Sequence, residues 1–242
     1  DLLFTTNKTH SDESINVNYR SEVPNTDENT DQTSSENLNL GDIKKKIAVV
    51  DDDKVVHAIV KSVFKQYDCD LCFYLGGEDF LREPQINEFD LIISAKPTEA
   101  FSENEKFVLD QFTMQGGNTL WLIDAVAIEK DSLYNPTGKS VAITRDLNLT
   151  DFFFKYGLRI NPVLVNDLYS APITLATGEG SQSQFQQTPW FYSPLVNSVN
   201  NHPITNNLNL VKFDFANQID TLKNSVTKTI LLQSSVLTKI DG

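Results

Sequence analysis

Histidine and cysteine are scarce in this chain, and most nucleophilic and acid–base catalysis needs one or the other. The 242 residues hold three histidines, His10, His57 and His202. His10 lies in a polar leading segment, His57 on the flank of a helical pattern and His202 before Pro203 in a loop pattern. No G-x-S-x-G elbow occurs and no Cys follows a strand, the turn at which amidotransferase-like folds carry their nucleophile. A non-enzymatic chain is the expectation. Cys69 and Cys72 form a C-x-x-C, but Leu71, Phe73, Tyr74 and Leu75 around them read as strand, where residues three apart face opposite sides. They are expected to be structural cysteines.

Positive charge is also short, with 20 Lys and Arg against 33 Asp and Glu and a net charge of -13. With a pI near 4.6, this excludes a nucleic-acid surface, which needs clustered cations against phosphate. The one basic run, Lys44–Lys46, reads as the solvated entry to a strand. No stretch reaches the about 18 apolar residues of a membrane span. There is no start Met, and residues 1–5 are too short and lack the basic flank of a leader. The chain is therefore expected to be a piece of a longer polypeptide that meets a membrane only through segments outside it. Gly178-Glu179-Gly180 lacks the spacing and trailing Lys of a phosphate cradle.

What is present is organised around Phe89–Ala125, FDLIISAKPTEAFSENEKFVLDQFTMQGGNTLWLIDA. Two buried-strand patterns, at Leu91 to Ile93 and Leu120 to Ile123, flank one punctuated helix. Ser102 and Glu105 have the spacing of a capping box, Gly116-Gly117 supplies a left-handed exit, and Val108, Leu109 and Phe112 fall on one buried face. Residues 1–43 hold nine acidic residues against Lys8 and Arg20 and read as a disordered acidic arm. From residue 44 to residue 242 a single α/β domain is expected. Its front comprises strand 47–50, a helix burying Val56, Ile59, Val60, Val63 and Phe64 with His57 on the wet side, strand 69–74, a short helix at 78–82, and strand 90–94. Strands alternating with helices predict a doubly wound, mainly parallel sheet.

Behind the Trp121 strand, a helix begins near Asp146 or Asn148, buries Leu149, Phe152 and Phe153 and stops at Gly157. The strand Arg159–Val165 carries Pro162, which predicts an edge or a strand start. Ser170 to Ser198 reads as a long loop carrying the aromatic cluster Trp190, Phe191 and Tyr192. Between two prolines these residues form a candidate protein interface. Val211, Phe213 and Phe215 alternate as a strand, and Thr229 to Leu232 is a last short one.

Two resemblances attach to these runs. Over about 95–238, the runs AKPTEAFSENEKFVLDQF, GGNTLWLIDA, RDLNLTDFFFKYGLRINPVLVNDL, SAPITLATGEG, TPWFYSPLV, NHPI, VKFDFAN and KTILLQSS resemble the soluble part of GldG, the gliding-motility protein associated with an ABC transporter. That resemblance implies a non-catalytic periplasmic domain working beside an ABC permease and ATPase, in a flavodoxin-like or amidotransferase-like three-layer sandwich. Residues 46–94, KIAVVDDDKVVHAIVKSVFKQYDCDLCFYLGGEDFL and FDLIIS, resemble the first half of a response-regulator receiver, which implies a cytoplasmic setting. The receiver likeness implies Mg²⁺ at Asp51 and Asp52, since a hard cation takes oxygen ligands. It lacks the phospho-acceptor, because Ala95 stands where an Asp is needed. Competing readings are a degenerate receiver acting through protein contacts, and a small-ligand or glycan module at the strand C-terminal ends.

Overall fold

The computed structural model describes residues 2–5, 44–128, 130, 139–177 and 184–241. Gly178-Glu179-Gly180 and most of the expected acidic arm, residues 6–43, lie outside them. Strand β1 (Leu2–Thr5) is followed by β2 (Lys45–Val50), α1 (Lys54–Phe64), β3 (Cys69–Tyr74), α2 (Gly77–Leu81), a 3-10 turn (Ile86–Glu88) and β4 (Leu91–Ala95). Then come α3 (Glu103–Met114), β5 (Asn118–Leu122), β6 (Val126–Ala127), β7 (Ile143–Thr144) and α4 (Thr150–Lys155). The chain closes with β8 (Leu158–Asp167), β9 (Ser170–Thr177), β10 (Gln184–Ser198), β11 (Val211–Lys212), β12 (Asn217–Thr221), β13 (Leu232–Gln233) and β14 (Thr238–Asp241).

The front half builds a five-stranded sheet in the order β1-β5-β4-β2-β3. The four strands β2 to β5 are parallel, and β1 adds antiparallel to the edge with Leu2 opposite Leu122. Residues 2–5 of the expected disordered arm thus extend the sheet. Side chains alternate across it: Ile47, Val49, Ile93 and Ala95 face α1, while Ala48, Ile92 and Trp121 face α2, α3 and α4. Cys69 and Cys72 go to opposite faces, as a strand demands.

Punctuation holds α3 where the sequence puts it. The Ser102 hydroxyl accepts from the Glu105 N–H at 3.3 Å, and the Glu105 carboxylate accepts from the Ser102 N–H at 2.7 Å. Gly116 takes the left-handed exit at φ 96°. At Gly117 a β-carbon would sit 2.3 Å from the Phe112 ring. Under α3, Trp121 is 1 % exposed, its ring centroid 5.3–5.7 Å from those of Phe101, Phe152 and Phe153. Its indole N–H donates to the Thr119 hydroxyl, so the large apolar ring is buried without an orphaned donor.

The parallel sheet ends with β5. Everything from Leu158 onward is antiparallel: β12-β8-β14 form one sheet, and β9, β11 and β13 all pair with β10. The fold is mixed α/β, a parallel sheet with helices on both faces joined to antiparallel sheets. Four local expectations change with it. Pro162 lies inside the central strand β8, not at an edge, because the register slips there (Gln218 opposite Asn161, Asn217 opposite Leu164), and a bulge excuses the missing N–H. Ser170 to Ser198 is largely the hairpin β9–β10, whose exposed polar Gln and Thr side chains gave no apolar alternation to read. The strand expected through Phe215 stops at Lys212, and Phe215 turns left-handed at φ 55°. Of the last apolar run only Leu232 is extended in a strand, with Gln233.

The halves are tied by Asn217, 4 % exposed. Its side-chain carbonyl accepts from the Ala125 N–H at 2.7 Å, just beyond β5, and its amide donates to the Val163 carbonyl at 2.9 Å in β8. One buried amide therefore satisfies backbone groups of both halves, which an apolar residue could not do.

Candidate functional site

The acidic turn leaves the C-terminal end of β2, the edge of a parallel sheet where ligands usually bind. Asp51 is 5 % exposed, and its carboxylate accepts from the Asp53 N–H at 2.7 Å. Burial pushes the Asp51 carboxyl up from the usual carboxylate range, against that hydrogen bond. Asp53 caps α1 by accepting from the Val55 N–H at 2.8 Å, and Asp52 accepts from the Thr98 hydroxyl at 3.3 Å. Beside them Ala95 is buried, and the Lys96 ammonium stands 3.5 Å from the Asp124 carboxylate.

Three acids thus have three holding tasks: a turn, a cap and a cross-loop tie. Mg²⁺ takes about six oxygen ligands. Asp51 and Asp52 offer two side chains, and no group of three or more His, Cys, Asp or Glu comes together among the described residues.

The aromatic cluster splits by strand alternation. Trp190 and Tyr192 turn inward against Phe215, with ring centroids 6.5 and 6.1 Å from it, in a small core with Val126 and Leu164. Phe191 points the other way and is 44 % exposed. Tyr192 donates to Asp241 at 3.1 Å, while the buried Trp190 N–H has no acceptor among the described residues. Of the three candidates, Phe191 presents the open contact area.

The histidines are also placed. His57 is half-buried, not on the wet side of α1, with its ring 4.9 Å from that of Phe73. His202 uses Nδ1 to accept from the Ile204 N–H at 3.3 Å. His10 lies outside the described residues.

A concavity that the sequence did not disclose lies in the antiparallel half. It encloses about 960 Å³ between β8, β12 and the segment 222–232, against apolar side chains including Leu158, Val196, Phe213, Ile219 and Ile240. The Arg159–Asp220 ion pair, His202 and Lys228 line it too, among uncharged polar residues such as Asn217, Gln218 and Gln233. Its walls come from residues as far apart as Thr113 and Ile240, so no local spacing could announce it.

The family described as an ABC-type uncharacterized transport system matches residues 44–241, across both sides of Ser94. The chain belongs to that family. No curated protein and no solved structure matches it. Membership in the ABC-type transport family associates the chain with membrane transporters, and it covers the acidic turn, the aromatic hairpin and the concavity alike. No helix among the described residues is long and apolar enough to cross a membrane.

Proposed function

We propose that this chain is a non-catalytic, extracytoplasmic domain of a GldG-like auxiliary subunit, acting through protein contacts beside the permease and ATPase of an ABC-type complex linked to gliding motility. The observation that carries the reading is the family match over 44–241, which takes in the receiver-like front as well as the GldG-like remainder. It favours one transport-associated unit over a degenerate receiver. The parallel sheet between α1 and the layer of α2, α3 and α4 supports a flavodoxin-like core for the front half, with antiparallel sheets added behind it. The acidic turn serves the fold by capping α1 and closing β2, and Phe191 on the hairpin offers an outward contact.

The test is co-purification of the full-length gene product with ABC permease and ATPase subunits of the same cell, with a periplasmic reporter fusion fixing the side. Joint elution and an extracytoplasmic reporter support the reading. Separate elution, or substrate turnover by the purified chain, overturns it.

A second reading has an observation of its own. The concavity of about 960 Å³ is of a size that takes a small molecule, and it moves the ligand-module reading from the strand C-terminal ends to the antiparallel half. Thermal stabilisation by a small apolar ligand, lost in Phe213→Trp, would favour it.

A further inference from the structure

The antiparallel half turns exposed aliphatic side chains into one hollow. Ile204 from the loop after β10, Ile230 from the segment before β13 and Ile240 from β14 are 42 %, 52 % and 42 % exposed. All three line the concavity of about 960 Å³, together with Leu158, Val196 and Phe213. Scattered exposed aliphatics are ordinary, but three from separate elements gathered in one concave surface mark a binding site. The hollow is also long. Its wall follows β8 from Leu158 and Arg159 to Val165, which stands opposite Ile240, a run of about 20 Å along the strand. An acyl chain, which spans half of a bilayer core of about 30 Å, fits that length extended.

Charge is uneven along it. Of the acidic residues described, only Asp220 lines the hollow, and its carboxylate is already engaged. It accepts from Arg159 Nε at 3.2 Å and from the Asn161 and Gln218 amides at 2.9 and 3.2 Å. Lys228, the remaining charged residue of the wall, is in none of the ion pairs formed among the described residues. Its ammonium donates to the Asn224 side-chain carbonyl, a neutral acceptor. That ammonium lies at the start of β8, since a β-carbon on Gly157 would sit 2.6 Å from it. In a chain of net charge -13, the Leu158–Arg159 end of the hollow thus keeps one uncompensated positive charge.

Much of the polar lining is occupied by the fold. Asn217 serves Ala125 and Val163, the Tyr156 hydroxyl donates to Asp110 at 2.8 Å, and the Thr238 hydroxyl donates to Asp167 at 3.0 Å. A sugar or nucleotide, with a polar group on most of its carbons, would leave many of them unpaired against aliphatic walls. We propose that the concavity binds a single-chain anionic amphiphile, with its acyl chain along β8 toward Val165 and Ile240 and its carboxylate or phosphate head at Lys228. The inference rests on the small-molecule reading of the concavity and names the ligand class.

The test is calorimetry on the full chain, stripped of lipid on a hydrophobic resin, with four probes below their micelle thresholds. Laurate and dodecyl phosphate carry the two heads, dodecanol has the same chain without charge, and adamantanol is compact and apolar. Laurate or dodecyl phosphate is expected to bind with micromolar affinity and to shift the methyl resonances of Ile204, Ile230 and Ile240; the tighter of the two identifies the head. Dodecanol should bind about tenfold more weakly, for want of a charge-assisted hydrogen bond. Lys228→Met should bring the anionic probes to the level of dodecanol and leave dodecanol unchanged. Ile230→Asp, at an exposed position, should weaken the anionic probes about tenfold with an unchanged melting curve, because it sets a second acid in the wall. Dodecanol binding as tightly as both anions, or anion binding indifferent to Lys228→Met and Ile230→Asp, overturns the proposal. Adamantanol binding in the hollow with no dodecyl probe displacing it also overturns the proposal but leaves the small-molecule reading standing. Failure of all four probes to bind removes both.

Discussion

The parallel and antiparallel halves solve the same burial problem with different chemistry. Fourteen buried residues, from Ala48 to Leu158 and with Trp121 at their centre, form one continuous apolar cluster under α2, α3 and α4. Among the described residues, the cluster that holds Leu164 and Phe215 has Val126 as its third buried member, with Trp190 and Tyr192 packed against it partly exposed. What the antiparallel half has in its place is buried polar pins. Asp167, fully buried, accepts from the Tyr169 N–H at 2.8 Å, the Ser235 N–H at 2.8 Å, the Ser235 hydroxyl at 2.6 Å and the Thr238 hydroxyl at 3.0 Å. One carboxylate thereby fixes the end of β8 to the start of β9 and to the approach of β14. Hydrogen bonds to a buried charge are directional and strong, so they specify geometry where side-chain volume is too small to do so.

If that contrast is right, the largest loss of stability comes from the apolar half. Trp121→Ala should destabilise by about 3–5 kcal/mol, because the cavity left among Phe101, Phe152 and Phe153 adds to the lost burial. A denaturant melt with near-ultraviolet circular dichroism measures it. Asp167→Ala should follow at roughly 2–4 kcal/mol, since four donors lose their acceptor at once. Asn217→Ala is expected to cost about 1–3 kcal/mol. It should also separate the two transitions in hydrogen exchange, because it removes the amide shared between Ala125 and Val163. Ser102→Ala, which removes one cap, should cost about 0.5–2 kcal/mol and leave the antiparallel half unaffected.

Acid sharpens the comparison further. Burial alone would raise the Asp167 carboxyl, but its hydrogen bonds from Ser235, Tyr169 and Thr238 overcome that and hold it below the usual carboxylate range. Its contribution is therefore present above the ordinary Asp pKa and is lost as pH falls through the lower, folded value. Asp51 has the opposite sign. Its carboxyl is raised, so the folded chain holds that proton more tightly than the unfolded one, and stability drops as pH rises from the ordinary value through the raised one. Asp51→Asn should thus stabilise slightly at neutral pH, by less than about 1 kcal/mol, with the gain vanishing in acid. Acid titrations of the two variants give slopes of opposite sign.

The same chemical contrast explains what could be read in advance. In the parallel half each element announces itself locally: the Ser102–Glu105 box, the Gly116 exit and the apolar run from Ile47 to Val50 all lie within a few residues of what they specify. In the antiparallel half the determinants are distant. Gln184 to Thr188 look like loop because they are exposed on a hairpin, and Asn217 gives no hint that its partners are Ala125 and Val163. Pro162 is read correctly as an interruption but placed at an edge, since the bulge that accommodates it exists only against β12. At Asp51 and Asp52 the sequence offers oxygen ligands for a hard cation; the employment of these acids as ties, and of Asp53 as a cap, is not legible in it. On α1 the expectation fails for a different reason: Ile59 and Val63, expected to be buried, are each 57 % exposed. Ile59 and Val63 fit the buried stripe by periodicity, and nothing in spacing alone says that the sheet covers only Val56, Val60 and Phe64.

Hydrogen exchange on this chain, alone and mixed with the permease and ATPase proposed as its partners, tests most directly the claim that its work is contact. The account predicts slower exchange on complex formation along β10 around Phe191, with the Trp121 core unchanged in both states. A complex in which β10 stays unprotected would contradict it.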